Sequence, residues 1–240
     1  MVNVRNALSL ALLSCAAFVP SGQAITLPGT TAIPVIFTHT INAGKAKAGD
    51  LVTGKTMQVV LLPNGEQLPK GSPVTGHVVE ARPFRFDETP YAVQQPSYLS
   101  IQIDRIADTP VTLSVRAIAS AFAVQEALTP QRLDETDTLG TMVLVGGAHY
   151  SPIAKRVTDG PEDDIVGYNK KQGVFARLLP GAGCEGTQTE QSVAIFSPDA
   201  CGPYGFVGDH LTVKDGMFRL ESTHRTVNLR GGSAALLQVQ

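Results

Sequence analysis

The sequence predicts an all-β fold, an antiparallel barrel or sandwich carrying a long irregular insertion at mid-chain. Three observations predict it. Apolar residues recur with a period of two in several runs, as half-buried strands require. Turn-forming residues separate those runs. The 23 glycines and 16 prolines punctuate a chain with few long helix-forming stretches.

Residues 1–6 carry one positive charge, Arg5, and no acid, and residues 7–19 form a small-and-apolar run. That is the pattern of a secretory leader. The run is too short for a transmembrane helix, which needs roughly 20 residues to cross about 30 Å of hydrocarbon. Pro20 ends it, and Gly22 and Ala24 put small residues where a signal peptidase reads them, so residues 1–24 are expected to be removed and the mature chain to begin at Ile25. A second reading takes Leu12-Leu13-Ser14-Cys15 as a lipobox with Cys15 as an acylated anchor, although its second position is Leu where a small residue is usual. Either way the expected location is periplasmic or secreted.

In the remainder, residues 35–41 alternate Val35, Phe37 and Ile41 with Thr38 and Thr40, and a loop follows over 42–50. The apolar run 56–62 ends in Pro63-Asn64-Gly65-Glu66, a hairpin signal. Residues 74–81 read as a strand whose Gly76 marks a bulge or a close approach. Residues 82–96 hold three prolines and several charges, the composition of a surface loop. Leu99, Ile101 and Ile103 then alternate with polar residues, as do Val111, Leu113, Val115 and Ala117, so the two runs are expected to pair as a hairpin with one face in water.

The chain divides on this reading into a first β region, 25–125, an irregular insertion, 126–172, and a second β region, 173–240, completing the same domain. The insertion is polar or charged except at 142–145. Strands resume at 173–179 and 192–196. Asp215-Gly216 joins 211–214 to 217–221 in a second hairpin, and 227–230 and the apolar 234–239 close the chain.

The chain carries 19 basic and 21 acidic residues; loss of Arg5 with the leader leaves a mature charge of about −3. Nothing in that balance attracts nucleic acid or an anionic membrane. The absence of Trp removes the commonest platform for sugar stacking.

Thr31-Ala32-Ile33-Pro34-Val35, Ala48-Gly49-Asp50-Leu51-Val52 and Leu68-Pro69-Lys70-Gly71-Ser72-Pro73-Val74-Thr75-Gly76 resemble a pattern of exported bacterial β proteins of unassigned function. The last step is similar, more distantly, to the β-barrel domain of TrbI-type components of type IV secretion channels. Residues 193–197 and 200–206 also resemble the first group. The resemblance implies a barrel-like envelope protein and carries over no catalytic or binding residue. The chain lacks the long proline-rich linker of TrbI-type proteins.

Removal of the leader leaves two thiols, Cys184 and Cys201, which an oxidising compartment is expected to join as a disulfide stapling the loop before Ser192 to the turn at Gly202. The histidines, His39, His77, His149, His210 and His224, show no metal-binding spacing, although Asp209-His210 with His224 and His149 are a set that folding could gather into a site with Glu190 or Asp209. No His-Glu-x-x-His, Gly-x-Ser-x-Gly or phosphate-cradling loop occurs. The acidic clusters 134–137 and 162–164 lack the glycine-spaced loop of a calcium site and read as solvated loop. Phe84, Phe86, Tyr91 and Tyr98 crowd one loop and offer a partner-binding lip.

These observations imply no cofactor and no metal. The leading expectation is a non-enzymatic exported envelope protein that binds or assembles with an unidentified envelope protein or polymer. One alternative is a secreted hydrolase of cell-wall or extracellular polymer built on Asp209, His210 and His224. Another is a small-ligand or glycan binder using the 84–98 loop.

Overall fold

The computed structural model describes Leu27 and residues 29–240, apart from Pro63, Asn64, Thr89, Ala182 and residues 91–93 and 160–163. The leader, the cleavage site before Ile25 and the alternative anchor Cys15 lie outside the described residues. Among the described residues no helix is long and apolar enough to cross a membrane.

In chain order the first part forms β1 (Ala32–Phe37), β2 (Ile41–Asn42), β3 (Leu51–Thr56), β4 (Val60–Leu61), β5 (Gln67–Leu68), β6 (Pro73–Arg82), β7 (Ser97–Ile106), β8 (Thr109–Pro110) and β9 (Leu113–Ala119). A short helix follows, α1 (Ala121–Ala127), capped by the Ser120 side chain, which accepts from the Ala123 amide. Next come β10 (Met142–Val143), β11 (His149–Tyr150), β12 (Arg156–Asp159), β13 (Asp164–Lys170), β14 (Gly173–Arg177) and β15 (Glu190–Ser192). The chain ends with β16 (Gly202–Tyr204), β17 (Asp209–Lys214), β18 (Met217–Ser222), β19 (Asn228–Leu229) and β20 (Ala234–Val239).

The molecule is all-β, as its sequence predicts, and is built around a large, nearly closed barrel-like sheet. Its neighbours run β9-β20-β1-β3-β6-β7-β18-β17, antiparallel throughout, with β16 added in parallel on β9. Because β16 also lies against β17, the two ends of the sheet approach one another. Alternation explains the interior: Val74 and Val78 of β6, Leu99, Ile101 and Ile103 of β7, and Phe218 and Leu220 of β18 all point into one core. Phe37 and Phe218 meet there in a tilted pair with ring centroids 6.5 Å apart.

Gly76 does both things its position suggests. The β6–β7 register shifts between Thr75 and Gly76, and a Cβ at Gly76 would stand 2.2 Å from the Gln102 carbonyl oxygen. The Asp215-Gly216 hairpin also forms, with φ of 52° and 74°, the two positive values of a type I′ turn.

A second, six-stranded sheet runs β10 to β15 in simple sequential order. It packs outside the barrel on β1, β9 and β20. Ala32, Ala117, Ala119, Ala234 and Leu236 form the outer barrel side of this second core, facing Val145, Ala176, Leu178, Val193 and Phe196. Consequently β1, β9 and β20 are buried on both faces, and their sequences read as nearly continuous apolar runs.

Several expectations require correction. The runs at 99–103 and 111–117 do not pair with one another: β7 lies between β6 and β18, whereas β9 pairs with β20. The tight β7–β8 hairpin, turned at Ala107 with φ 50°, stops at Pro110, which lacks an amide hydrogen for the ladder. Of the residues of this run expected in water, Thr112 is exposed and Ser114 half-buried, but Arg116 is buried against the carbonyls of Leu179 and Ala200, and Ala117, expected beside Leu113 and Val115, faces the second sheet instead. The run 56–62 likewise is not one strand; β3 precedes it, and its alternation is obscured by Thr53, Gly54 and Lys55. Gly54 permits the close β1–β3 approach, since a Cβ there would lie 2.9 Å from the Ile36 carbonyl oxygen. The strand expected at 192–196 ends at Ser192, because Ala194 turns the chain with φ 50°. The irregular insertion holds for 128–141, but Met142 to Lys170 supply four strands of the second sheet.

Candidate functional site

A cleft of about 810 Å³ opens between the two sheets, a size within the range of small-molecule sites. Its apolar floor comes from both sides: Ile36 and Met57 belong to the barrel side, and Met142, Leu144, Val174 and Ile195 to the other. Leu128, after α1, is exposed at its margin. Lys55 and Lys70 stand on the barrel bank, and Lys155, Lys170 and Lys171 on the opposite bank.

The walls are held by buried polar side chains. Past β3 the chain leaves the barrel, and Gln58 reaches across to β14 and β15. Its amide nitrogen donates to the Val174 carbonyl at 2.8 Å and to Ser192 Oγ at 2.6 Å, while its oxygen accepts from the Val174 amide at 2.9 Å. Ser192 Oγ in turn donates to the Val59 carbonyl. A second tie runs from the Ala32 amide of β1 to Gln191 Oε1, at 2.9 Å. Both glutamines are buried, so each bond replaces one that water would otherwise supply.

The Cys184–Cys201 disulfide forms between the loop preceding Ser192 and the turn at Gly202. Beside it Arg116 of β9, 3% exposed, extends out of the barrel wall. Its guanidinium donates to the carbonyls of Ala200, Glu185, Leu179 and Pro198, which fixes the crosslinked loop on the barrel. Burial lowers its pKa, and the charge of Asp199 opposes that effect. Asp199 itself is pushed above the ordinary carboxylate range by burial.

The structure brings Asp209 and His224 together but leaves His210 out. Asp209 is buried at the start of β17; His210, next along the strand, is exposed and paired in register with Glu221. Ser222, His224 and Asp209 follow the order of a hydrolytic triad, with Ser222 Oγ 3.2 Å from His224 Nδ1. The chemistry does not follow from that order. Ser222 is 0% exposed, His224 Nε2 lies 4.0 Å from Asp209 Oδ1, and the other carboxylate oxygen accepts from Arg225 at 3.0 Å. His149 is on the other sheet, and Glu190 pairs with Lys170. Among the described residues no group of three His, Cys, Asp or Glu side chains is placed to hold a metal ion.

The aromatic set disperses. Tyr98 lies on β7, stacked between the guanidinium groups of Arg82 and Arg219 at 4.7 and 4.3 Å, and its hydroxyl donates to Glu80. That hydrogen bond is the main cause holding its pKa above the ordinary tyrosine value. Phe84 is half-buried, its amide donating to Thr226 Oγ1, and Phe86 is exposed; Tyr91 lies outside the described residues. In the first acidic cluster, the carboxylates of Asp134 and Asp137 accept from Thr136, Asp137, Gly140 and Thr141 of their own loop. In the second, only Asp164 is described.

Sequence reasoning missed Gln58, Arg116 and the lysines. A glutamine in an apolar run and an arginine in an alternating strand are local signals of a polar group that must find partners. The lysines offer no such signal, since they come from separated segments. The fold and cleft define an all-β protein with a concave site between two sheets. Comparison with protein families, curated proteins and solved structures finds no match.

Proposed function

We propose that this is an exported, non-enzymatic β protein that acts by binding, and that the cleft between the barrel and the second sheet is its binding site. The observation that carries the reading is the cleft itself: an apolar floor drawn from both sheets, with walls fixed by Gln58 and Gln191. Such preorganisation favours binding, because little side-chain order remains to be imposed. Export is supported by the leader-like residues 1–24 and by the disulfide, a bond that reducing compartments do not maintain. The burial of Ser222 favours a structural part for the Asp209–His224 pair over the hydrolase alternative.

The test uses native mass spectrometry of the protein after incubation with envelope extract. The expected result is a retained ligand on the parent and none on Leu128→Trp, which fills the cleft from an exposed position. Equal loading of the two proteins, or none on either, refutes the site.

A further inference from the structure

We infer that the cleft takes a free, monomeric anionic amphiphile: one acyl chain on the floor and a carboxylate or phosphate head between the lysines. The inference rests on the cleft being the binding site. Its independent observation is the distribution of charge. Five of the chain's eight lysines line this one cleft, and among the described residues no Asp, Glu, Arg or His lines it, although acids outnumber bases over the whole chain.

The five occupy both banks. Lys55 is on β3 and Lys70 in the β5–β6 turn, while Lys155 precedes β12 and Lys170 and Lys171 lie at the β13–β14 turn. Lys170 is paired with Glu190, outside the lining. Lys55, Lys70, Lys155 and Lys171 have no ion pair among the described residues. Like charges collected around an opening repel one another, and an anion placed among them removes that cost as well as gaining its own attraction. Lys155 is held there with a φ of 54°, a left-handed conformation disfavoured for a lysine.

The floor selects the rest of the ligand. Met57 and Met142 are adaptable apolar surfaces suited to a flexible chain. Among the described residues Tyr150 is the single aromatic in the lining, its hydroxyl engaged with Asn169, so the floor offers mostly flexible aliphatic surface and not the paired stacking faces that favour sugars or bases. An acidic peptide would satisfy the lysines and leave the floor unused. A single-chain amphiphile satisfies both.

The experiment is isothermal titration of the mature protein, at low ionic strength, with dodecanoate and dodecyl phosphate below their micelle-forming range. Dodecyl maltoside supplies the same chain without charge, inorganic phosphate the charge without a chain, and hexaglutamate an acidic peptide. Phosphatidylglycerol vesicles supply the lipid head in a bilayer. Both anionic amphiphiles are expected to bind at least tenfold tighter than the maltoside, the phosphate, the peptide or the vesicles. Replacing one exposed lysine on each bank, Lys55→Gln with Lys171→Gln, should weaken dodecanoate by about 25-fold, taking about fivefold per lysine near an anionic head. The thermal midpoint of that unliganded variant should be no lower than the parent's, since two mutually repelling charges are removed and no ion pair among the described residues is lost.

Equal binding of the maltoside, tighter binding of the peptide, binding to vesicles alone, or an affinity indifferent to both lysines overturns the inference. If Leu128→Trp excludes an extract ligand that proves neutral or cationic, the binding site stands and only its anionic character falls. If that variant excludes nothing, the site falls as well.

Discussion

Replacing Gln58 by leucine removes the main polar tie between the sheets while keeping side-chain volume close to the original. Three hydrogen bonds are lost, to the Val174 amide, the Val174 carbonyl and Ser192 Oγ. The losses are unequal. The Val174 carbonyl still accepts from the Val193 amide at 3.1 Å, and Ser192 Oγ retains the Val59 carbonyl, whereas the Val174 amide loses the partner that Gln58 supplied. At about 1 kcal/mol net for each bond, with a larger penalty for the stranded amide, the expected cost is about 3 kcal/mol. For a chain of this size that lowers Tm by about 6–12 °C. Urea denaturation followed by circular dichroism and tyrosine fluorescence reads the change, with the m-value unchanged if only the folded state is affected. Gly173→Ala supplies the partner perturbation: its φ is 134°, and the new Cβ would stand 2.2 Å from Gln58 Oε1. The double variant should therefore lose less stability than the two single losses added, because displacing Gln58 and replacing it break the same bonds to Val174, which can be lost only once. A cost below about 0.5 kcal/mol for Gln58→Leu would refute the claim that this side chain joins the sheets.

Cys184→Ser with Cys201→Ser should cost about 3 kcal/mol, the loop-closure value for a separation of 17 residues, read as a shift in the urea midpoint. Gly76→Ala should destabilise by more than about 2 kcal/mol in the same assay, since its Cβ would meet backbone rather than a yielding side chain. Asp199→Asn gives a signed pH dependence. Burial raises the folded-state pKa of Asp199, so its contribution is fully present below the ordinary carboxylate range and is lost as pH climbs through the raised value. The asparagine variant should thus match the parent in acid and exceed it near neutrality; a variant less stable at every pH would contradict the assignment. Arg116→Met should release the crosslinked loop, exposing the disulfide to reduction by dithiothreitol faster than in the parent.

The legible part of the barrel was the strands that bury one face, such as β6 and β18, because alternation marks them. Leu99, Ile101 and Ile103 announce a face, and Asp215-Gly216 announces a turn, from neighbouring residues alone. Partner choice was not legible in the same way. The pairing of β9 with β20 joins residues more than a hundred positions apart, and Ala117 and Ala119 signal only a face that tolerates close packing. The second sheet was hidden because β10 and β11 have two residues each, too few to establish a period, and β13 is mostly exposed. The crosslink followed from cysteine parity. The cleft did not, because its lysines converge only after both sheets have folded and packed.

The ties that stabilise the fold are also the ties that shape the site, so affinity and stability should move together. Gln58 holds β14 and β15 against the segment leaving β3, and the cleft floor contains residues immediately on either side of those bonds, Met57 and Val174. A ligand seated there touches both walls and disfavours their separation, whatever its charge. By linkage, ligand at a hundred times its Kd stabilises the folded state by about 2.7 kcal/mol, close to the loss expected from Gln58→Leu. A saturating ligand should therefore recover most of that variant's lost Tm while binding more weakly to it than to the parent. This pairing separates a site built into the sheet junction from a passive surface patch, where the variant would lose stability and keep its affinity.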